Sequence, residues 1–79
     1  MPNITVYTTS QCPYCVMVKN FLNDEGLTFK EVNVQRNQRE AQRLVKETGH
    51  IGVPQINIDG QWVLGFDPES IMKLVQKEG

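Results

Sequence analysis

Cys12 and Cys15 are the only cysteines in the chain of 79 residues, and Pro13 and Tyr14 stand between them. Thiols at this spacing can cycle between dithiol and disulfide, lock a short ring, or begin a metal site. The setting favours the first. Pro13 suits the first turn of a helix, because its missing N–H costs nothing there. Cys12 is then the N-cap, where unpaired backbone N–H groups and the positive end of the helix dipole converge. A thiolate is stabilised at that point and a thiol is not, so Cys12 should ionise more readily than a free cysteine. Cys15 becomes the third helical residue, on the same side as the cap and within reach of disulfide geometry. In the resulting cycle Cys12 is the nucleophile that attacks a substrate disulfide. Cys15 is the resolving thiol, and the Cys12–Cys15 redox disulfide closes behind it.

The alternatives are weaker. A purely structural disulfide closing so short a ring would contribute roughly 2 kcal/mol by loop-closure arithmetic. Zinc would need two further ligands, and the only histidine is His50, so no metal site is expected. Two inert buried cysteines would leave Pro13 unexplained.

These residues need a strand, a loop and a helix around them, and the flanking sequence supplies all three. Ile4–Thr8 reads as a buried strand, Thr9–Gln11 as a polar loop. The first helix carries Tyr14, Val18, Phe21 and Leu22 on one face and stops at Gly26. A second strand is expected over Thr28–Val34. Asn37 as N-cap and Glu40 as its reciprocal partner open a second helix, whose inward stripe is Ala41, Leu44, Val45 and Thr48 and whose stop is Gly49. Val53–Ile58 and Gln61–Leu64 read as a hairpin joined by Asp59-Gly60, with Trp62 and Leu64 on the core face beside Ile56 and Ile58. Asp67-Pro68 opens a last helix with Ile71, Leu74 and Val75 facing inward. The class is α/β, in the order β-α-β-α-β-β-α. It forms one domain over residues 1–79, a four-stranded mixed sheet flanked by three helices.

A formal net charge of −1 gives no basic surface for nucleic acid. No apolar run approaches the roughly 20 residues that span a bilayer, so no membrane association is expected. The N-terminal residues lack the pattern of a signal peptide. The expectation is a monomeric cytoplasmic protein. Arg36, Arg39, Arg43 and Lys46 read as a solvated face around the second helix. His50 reads as a surface residue, Met17 and Met72 as gap-fillers.

Cys12-Pro13-Tyr14-Cys15 directly after a first strand, followed by Gly52-Val53-Pro54 and then Gly65-Phe66-Asp67, resembles the glutaredoxins over almost the whole chain. The resemblance implies a minimal thioredoxin fold with no tightly bound cofactor and with glutathione as co-substrate. It also implies a cis bond before Pro54, facing the sulfurs; sequence alone leaves an ordinary trans proline open. Val53 would then hold the cysteinyl part of glutathione through its main chain. Tyr14 would line the groove, and Phe66 and Asp67 after Gly65 would hold the γ-glutamyl end. Asp67 is also a routine helix cap, and the two roles are compatible.

Three departures bear on the electron donor. Thr9 stands where glutaredoxins usually carry a lysine that meets a glutathione carboxylate, although Arg36 or Arg39 could reach the glycine end. Gly52 replaces a threonine. Trp62 with Gly65-Phe66 and Pro68 resembles instead the NrdH-type redoxins, which thioredoxin reductase reduces and which serve ribonucleotide reductase. The first expectation is thus a glutathione-dependent reductase of protein disulfides and glutathione mixed disulfides. The second is an NrdH-type carrier. A third, an iron–sulfur module using Cys12, is disfavoured because such family members usually lack Pro13.

Overall fold

Alternation along Ile4–Thr8 turns Ile4, Val6 and Thr8 to one face and Thr5 and Tyr7 to the other, and this segment forms β1. The computed structural model describes residues 2–78. After β1 come α1 (Pro13–Asp24), β2 (Lys30–Asn33), α2 (Gln38–Thr48), β3 (Gln55–Ile58), β4 (Gln61–Leu64) and α3 (Pro68–Glu78). The sheet order is β2-β1-β3-β4. β1 runs parallel to β2, as a helical crossover requires, and antiparallel to β3, which pairs antiparallel with β4. This is the element order and mixed sheet of a minimal thioredoxin fold.

The core lies on one face of the sheet. Ile4, Val6, Ile56, Ile58 and Val63 of the strands meet Val18 and Leu22 of α1 and Ile71 of α3, all almost completely buried. α2 lies on the opposite face. Tyr7, which points that way, feels Glu40, Arg43 and Glu47 of α2, and burial chiefly raises its phenol above the ordinary range. The Tyr7 ring packs against Trp62 with centroids 5.4 Å apart. Leu44 is the buried side chain of α2.

The helix ends follow local chemistry. Asn37 Oδ1 accepts from the Glu40 N–H at 3.2 Å. Gly49 closes α2 at φ 76, and its N–H donates to the Val45 carbonyl. A side chain is strained at that φ, which is why glycine serves there.

The structure corrects several expectations. Trp62 and Leu64 do not face the core; Val63 does, and Leu64 is 49% exposed. The cause is the two-residue Asp59-Gly60 turn, which pairs Ile58 with Gln61 and Ile56 with Val63. Directly opposed residues share a face, so even positions of β3 match odd positions of β4. Tyr14 leaves the inward stripe of α1 and is 61% exposed; the buried stripe is Cys15, Val18 and Leu22. Tyr14 sits in the first turn, about a quarter-turn round the helix from the buried Cys15 and so off the inward stripe. Val45 of α2 and Met17 of α1 are exposed as well; in α2 Leu44 is buried, with Ala41 and Thr48 partly buried. β2 covers Lys30–Asn33 rather than Thr28–Val34, because it is an edge strand that lasts only while β1 offers partners from Thr5 to Thr8. β3 starts at Gln55 rather than Val53: Pro54 has no N–H to donate to a ladder.

Candidate active site

The site begins where β1 ends. Past Thr8 the chain is pinned by side chains from the end of β2. The Ser10 N–H donates to Gln35 Oε1 at 3.1 Å, and Asn33 Nδ2 donates to Ser10 Oγ at 3.2 Å. Asn33 Oδ1 in turn accepts from the N–H groups of Gln35 and Arg36. Sequence reasoning missed these three residues. An asparagine at the end of a strand is a signal for such a turn, whereas Ser10 and Gln35 carry none.

Cys12 then takes extended backbone angles, φ −145 and ψ 96, as the N-cap of α1 with Pro13 following it. Its Sγ accepts from the Cys15 N–H at 3.1 Å. The Val16 N–H donates to the Cys12 carbonyl at 3.2 Å, the first bond of the helix. One orphan donor of the helix start is thus aimed at the sulfur, where it stabilises negative charge. Cys12 and Cys15 are joined as a disulfide with Cα atoms 5.2 Å apart. The two sulfurs differ in access: Cys12 is partly exposed, while Cys15 is 1% exposed.

Two further loops emerge at the same end of the sheet. Tyr7 pairs with Gln55 and Gln55 with Leu64, so the end of β1, the start of β3 and the end of β4 lie side by side. The Val53–Pro54 bond is cis. Pro54 is buried and Val53 partly exposed. The Gly65 N–H donates to the Pro54 carbonyl at 2.9 Å, tying the second loop to the third. Phe66 packs edge-on against Phe21 of α1 with centroids 6.3 Å apart, which fixes the third loop to the helix that carries the cysteines. A shallow groove of about 660 Å³ runs along Gly49–Gln55, Leu64 and Gly65. Among the candidate groove residues, Val53, Pro54 and Gly65 therefore stand together, and Tyr14 stands exposed on the first turn of α1. Thr9 is partly buried between β1 and Cys12. Arg36 lines a different cleft with Tyr7, Lys30, Glu40 and Arg43, between β2 and α2.

The charges near the site are few. Lys19 of α1 is engaged at 3.0 Å by Glu31, which also accepts from the buried Thr8 hydroxyl at 2.9 Å. The Lys19 ammonium is the main reason the Glu31 carboxyl lies below its usual range. Asp67 caps α3: its carboxylate accepts from the Ser70 hydroxyl at 2.7 Å and from the Ser70 N–H at 3.3 Å. These bonds hold the Asp67 carboxyl below its ordinary range. A carboxyl lowered in the folded state contributes stability above its unfolded pKa, and that contribution is lost as pH falls through the folded value. Asp67→Ala should therefore lower the melting temperature near pH 7, and the gap from wild type should close toward about pH 3. Thermal melts across that range check this; a gap independent of pH would show that the cap is not electrostatic.

What this end of the molecule offers chemically is a sulfur at a helix start with a second sulfur behind it, beside a proline loop and a glycine turn. Comparison with known proteins identifies the family. The Glutaredoxin family model matches residues 4–63. Glutaredoxin 3 of Escherichia coli strain K12 is 37% identical over 67 residues, covering 85% of this chain and 81% of that protein. A glutaredoxin-like 8.6 kDa protein in the rubredoxin operon of Clostridium pasteurianum is 36% identical over 74 residues, covering 94% of this chain and 99% of that protein. Among solved structures, the glutaredoxin-like NrdH-redoxin from Escherichia coli superposes with a TM-score of 0.82 at 29% identity, over 91% of this chain and 93% of that one. The chain belongs to the glutaredoxin family of thiol–disulfide oxidoreductases.

Proposed function

We propose that this protein is a dithiol glutaredoxin that reduces protein disulfides and glutathione mixed disulfides, with glutathione as its electron donor. The observation that carries the reading is the N–H of Cys15 held at 3.1 Å from the Cys12 sulfur at the start of α1. In the reduced protein Cys12 is the thiolate nucleophile. It attacks one sulfur of a substrate disulfide, the other sulfur leaves as a thiolate and takes a proton, and a mixed disulfide with Cys12 remains. Cys15, once deprotonated, attacks the Cys12 sulfur and releases the second substrate thiol. Closing the Cys12–Cys15 disulfide gives two electrons to the substrate and leaves the protein two electrons short of its dithiol form. Two glutathione molecules restore the dithiol and leave as glutathione disulfide.

Glutathione binds in this reading across the three loops. The main chain of Val53 takes the cysteinyl unit beside Pro54, Tyr14 covers one side, and the turn Gly65–Asp67 takes the γ-glutamyl end. The other carboxylate meets the Thr9 hydroxyl instead of an ammonium. At an exposed position that exchange costs on the order of 1 kcal/mol, a several-fold loss of affinity.

A second reading has its own support. Trp62, Gly65, Phe66 and Pro68 follow the pattern of the NrdH-type redoxins, and a structure of that type superposes closely. In it, thioredoxin reductase supplies the electrons and the protein partner is ribonucleotide reductase. Turnover with glutathione and glutathione reductase, measured beside turnover with NADPH and thioredoxin reductase, separates the two. The expected result is turnover with glutathione, improved several-fold by Thr9→Lys. Turnover with thioredoxin reductase alone, unchanged by Thr9→Lys, would establish the carrier reading instead.

A further inference from the structure

Gln55 follows the cis bond directly and opens β3, with its side chain on the same face as Tyr7 and Leu64. It is 1% exposed. An aliphatic side chain would fill such a position with no polar atom to satisfy. The amide here is used fully on one side and not at all on the other. Its Nε2 donates to the His50 carbonyl at 2.9 Å and to the Gly52 carbonyl at 2.8 Å. Its Oε1 is buried without a partner. An orphaned buried oxygen is unfavourable, so the side chain is held there by what its nitrogen does.

What it does is brace the loop between α2 and the cis-proline from inside. The His50 carbonyl sits at the end of α2, where Thr48 Oγ1 accepts from the His50 N–H at 3.1 Å. The Gly52 carbonyl is the peptide oxygen immediately before Val53, so the plane that carries the Val53 N–H is fixed by the same bond. Gln55 thus sets the direction in which the loop presents that N–H. From the other side, Gly65 fixes the Pro54 carbonyl at 2.9 Å. Gly52 has no Cβ and no side-chain bond of its own to hold it.

We infer that Gln55 is a positioning residue for substrate, acting through the Gly52 carbonyl to aim the Val53 main chain at the disulfide bound in front of Cys12. This rests on the reading of the Val53–Pro54 loop as a wall of the substrate groove. Gln55 touches neither sulfur nor substrate, so it should govern binding and leave the thiol chemistry alone. That separates it from a residue that merely keeps the chain folded.

The test is Gln55→Met, which keeps the length of the side chain and removes both donors. The expected result is a KM for glutathionylated peptide raised about five- to ten-fold, the loss expected when one substrate hydrogen bond, at the misaimed Val53 N–H, is no longer made. The value of kcat and the rate of Cys12 alkylation by iodoacetamide should stay within about two-fold, since neither depends on the loop. An unchanged KM overturns the inference. So does a proportional loss of kcat, KM performance and alkylation, which is the mark of a structural role. If Gln55→Met does not fold, the Cys15→Ser protein is compared by NMR with and without glutathione linked to Cys12. Shifts of both the Val53 N–H and the Gln55 side-chain amide support the coupling. A shift at Val53 alone overturns the role of Gln55 and leaves the groove standing. No shift at either removes the groove, and the inference with it.

Discussion

Cys12→Ser is expected to lower disulfide reductase activity on the order of a thousand-fold or more with every substrate. A hydroxyl at the N-cap accepts the Cys15 N–H as the sulfur does, so the helix start survives while the nucleophile is lost. Cys15→Ser is expected to divide the substrates. A glutathione mixed disulfide on Cys12 can be released by free glutathione from solution, because Cys12 is partly exposed. A protein joined to Cys12 has no such external route, and its release depends on the thiol buried directly behind. The variant should therefore keep glutathione mixed-disulfide reduction within about ten-fold and lose protein-disulfide reduction. Parallel assays with a glutathionylated peptide and with insulin decide the point. Equal loss in both assays would mean that Cys15 does more than resolve.

The largest stability effect should come from Ile56→Ala. Ile56 is 0% exposed, pairs with Val6 on one side and Val63 on the other, and so lies at the middle of the core face. Truncation removes the transfer energy of the lost carbons and leaves a cavity between three strands and two helices, about 3 to 4 kcal/mol together. For a chain of this size that corresponds to a melting temperature lower by about 15 °C. It would consume much of a total stability on the order of 5 to 10 kcal/mol. Leu64→Ala, on the exposed face of β4, should stay within about 0.5 kcal/mol. Denaturant midpoints for the pair test the register of the hairpin directly. A larger loss at Leu64 would require β4 to be turned over.

That register also marks where sequence reasoning succeeds and where it stops. Asp59-Gly60 correctly announced the hairpin, and Asp59 at φ 51 with Gly60 at φ 92 forms its turn. The turn already contains the answer for Trp62 and Leu64, because a two-residue loop makes opposed positions sum to an odd number; hydropathy alone put them on the wrong face. Caps were legible, because Cys12, Asn37 and Asp67 act through backbone groups within three residues of themselves. Gln55 was not. Its partners are carbonyls made available by an irregular loop, and no periodicity or propensity encodes them. The brief extent of β2 was hidden for a similar reason: it is set by how far β1 runs beside it, not by residues 28–34 themselves.

The sheet order carries one more consequence, in the order of synthesis. β1 lies between β2 and β3, and Ile4 meets Ile58 across the antiparallel ladder. The chain leaves the ribosome N-terminus first, so both cysteines emerge long before the strand that completes their surroundings. Until β3 arrives, β1 has one open edge. The contacts that close the site join distant parts of the chain, and such contacts form late because their loops are long. A nascent chain halted before residue 55 would carry both thiols before the strand that completes the sheet beside them is made, and Cys15 would lack the setting that buries it in the intact protein.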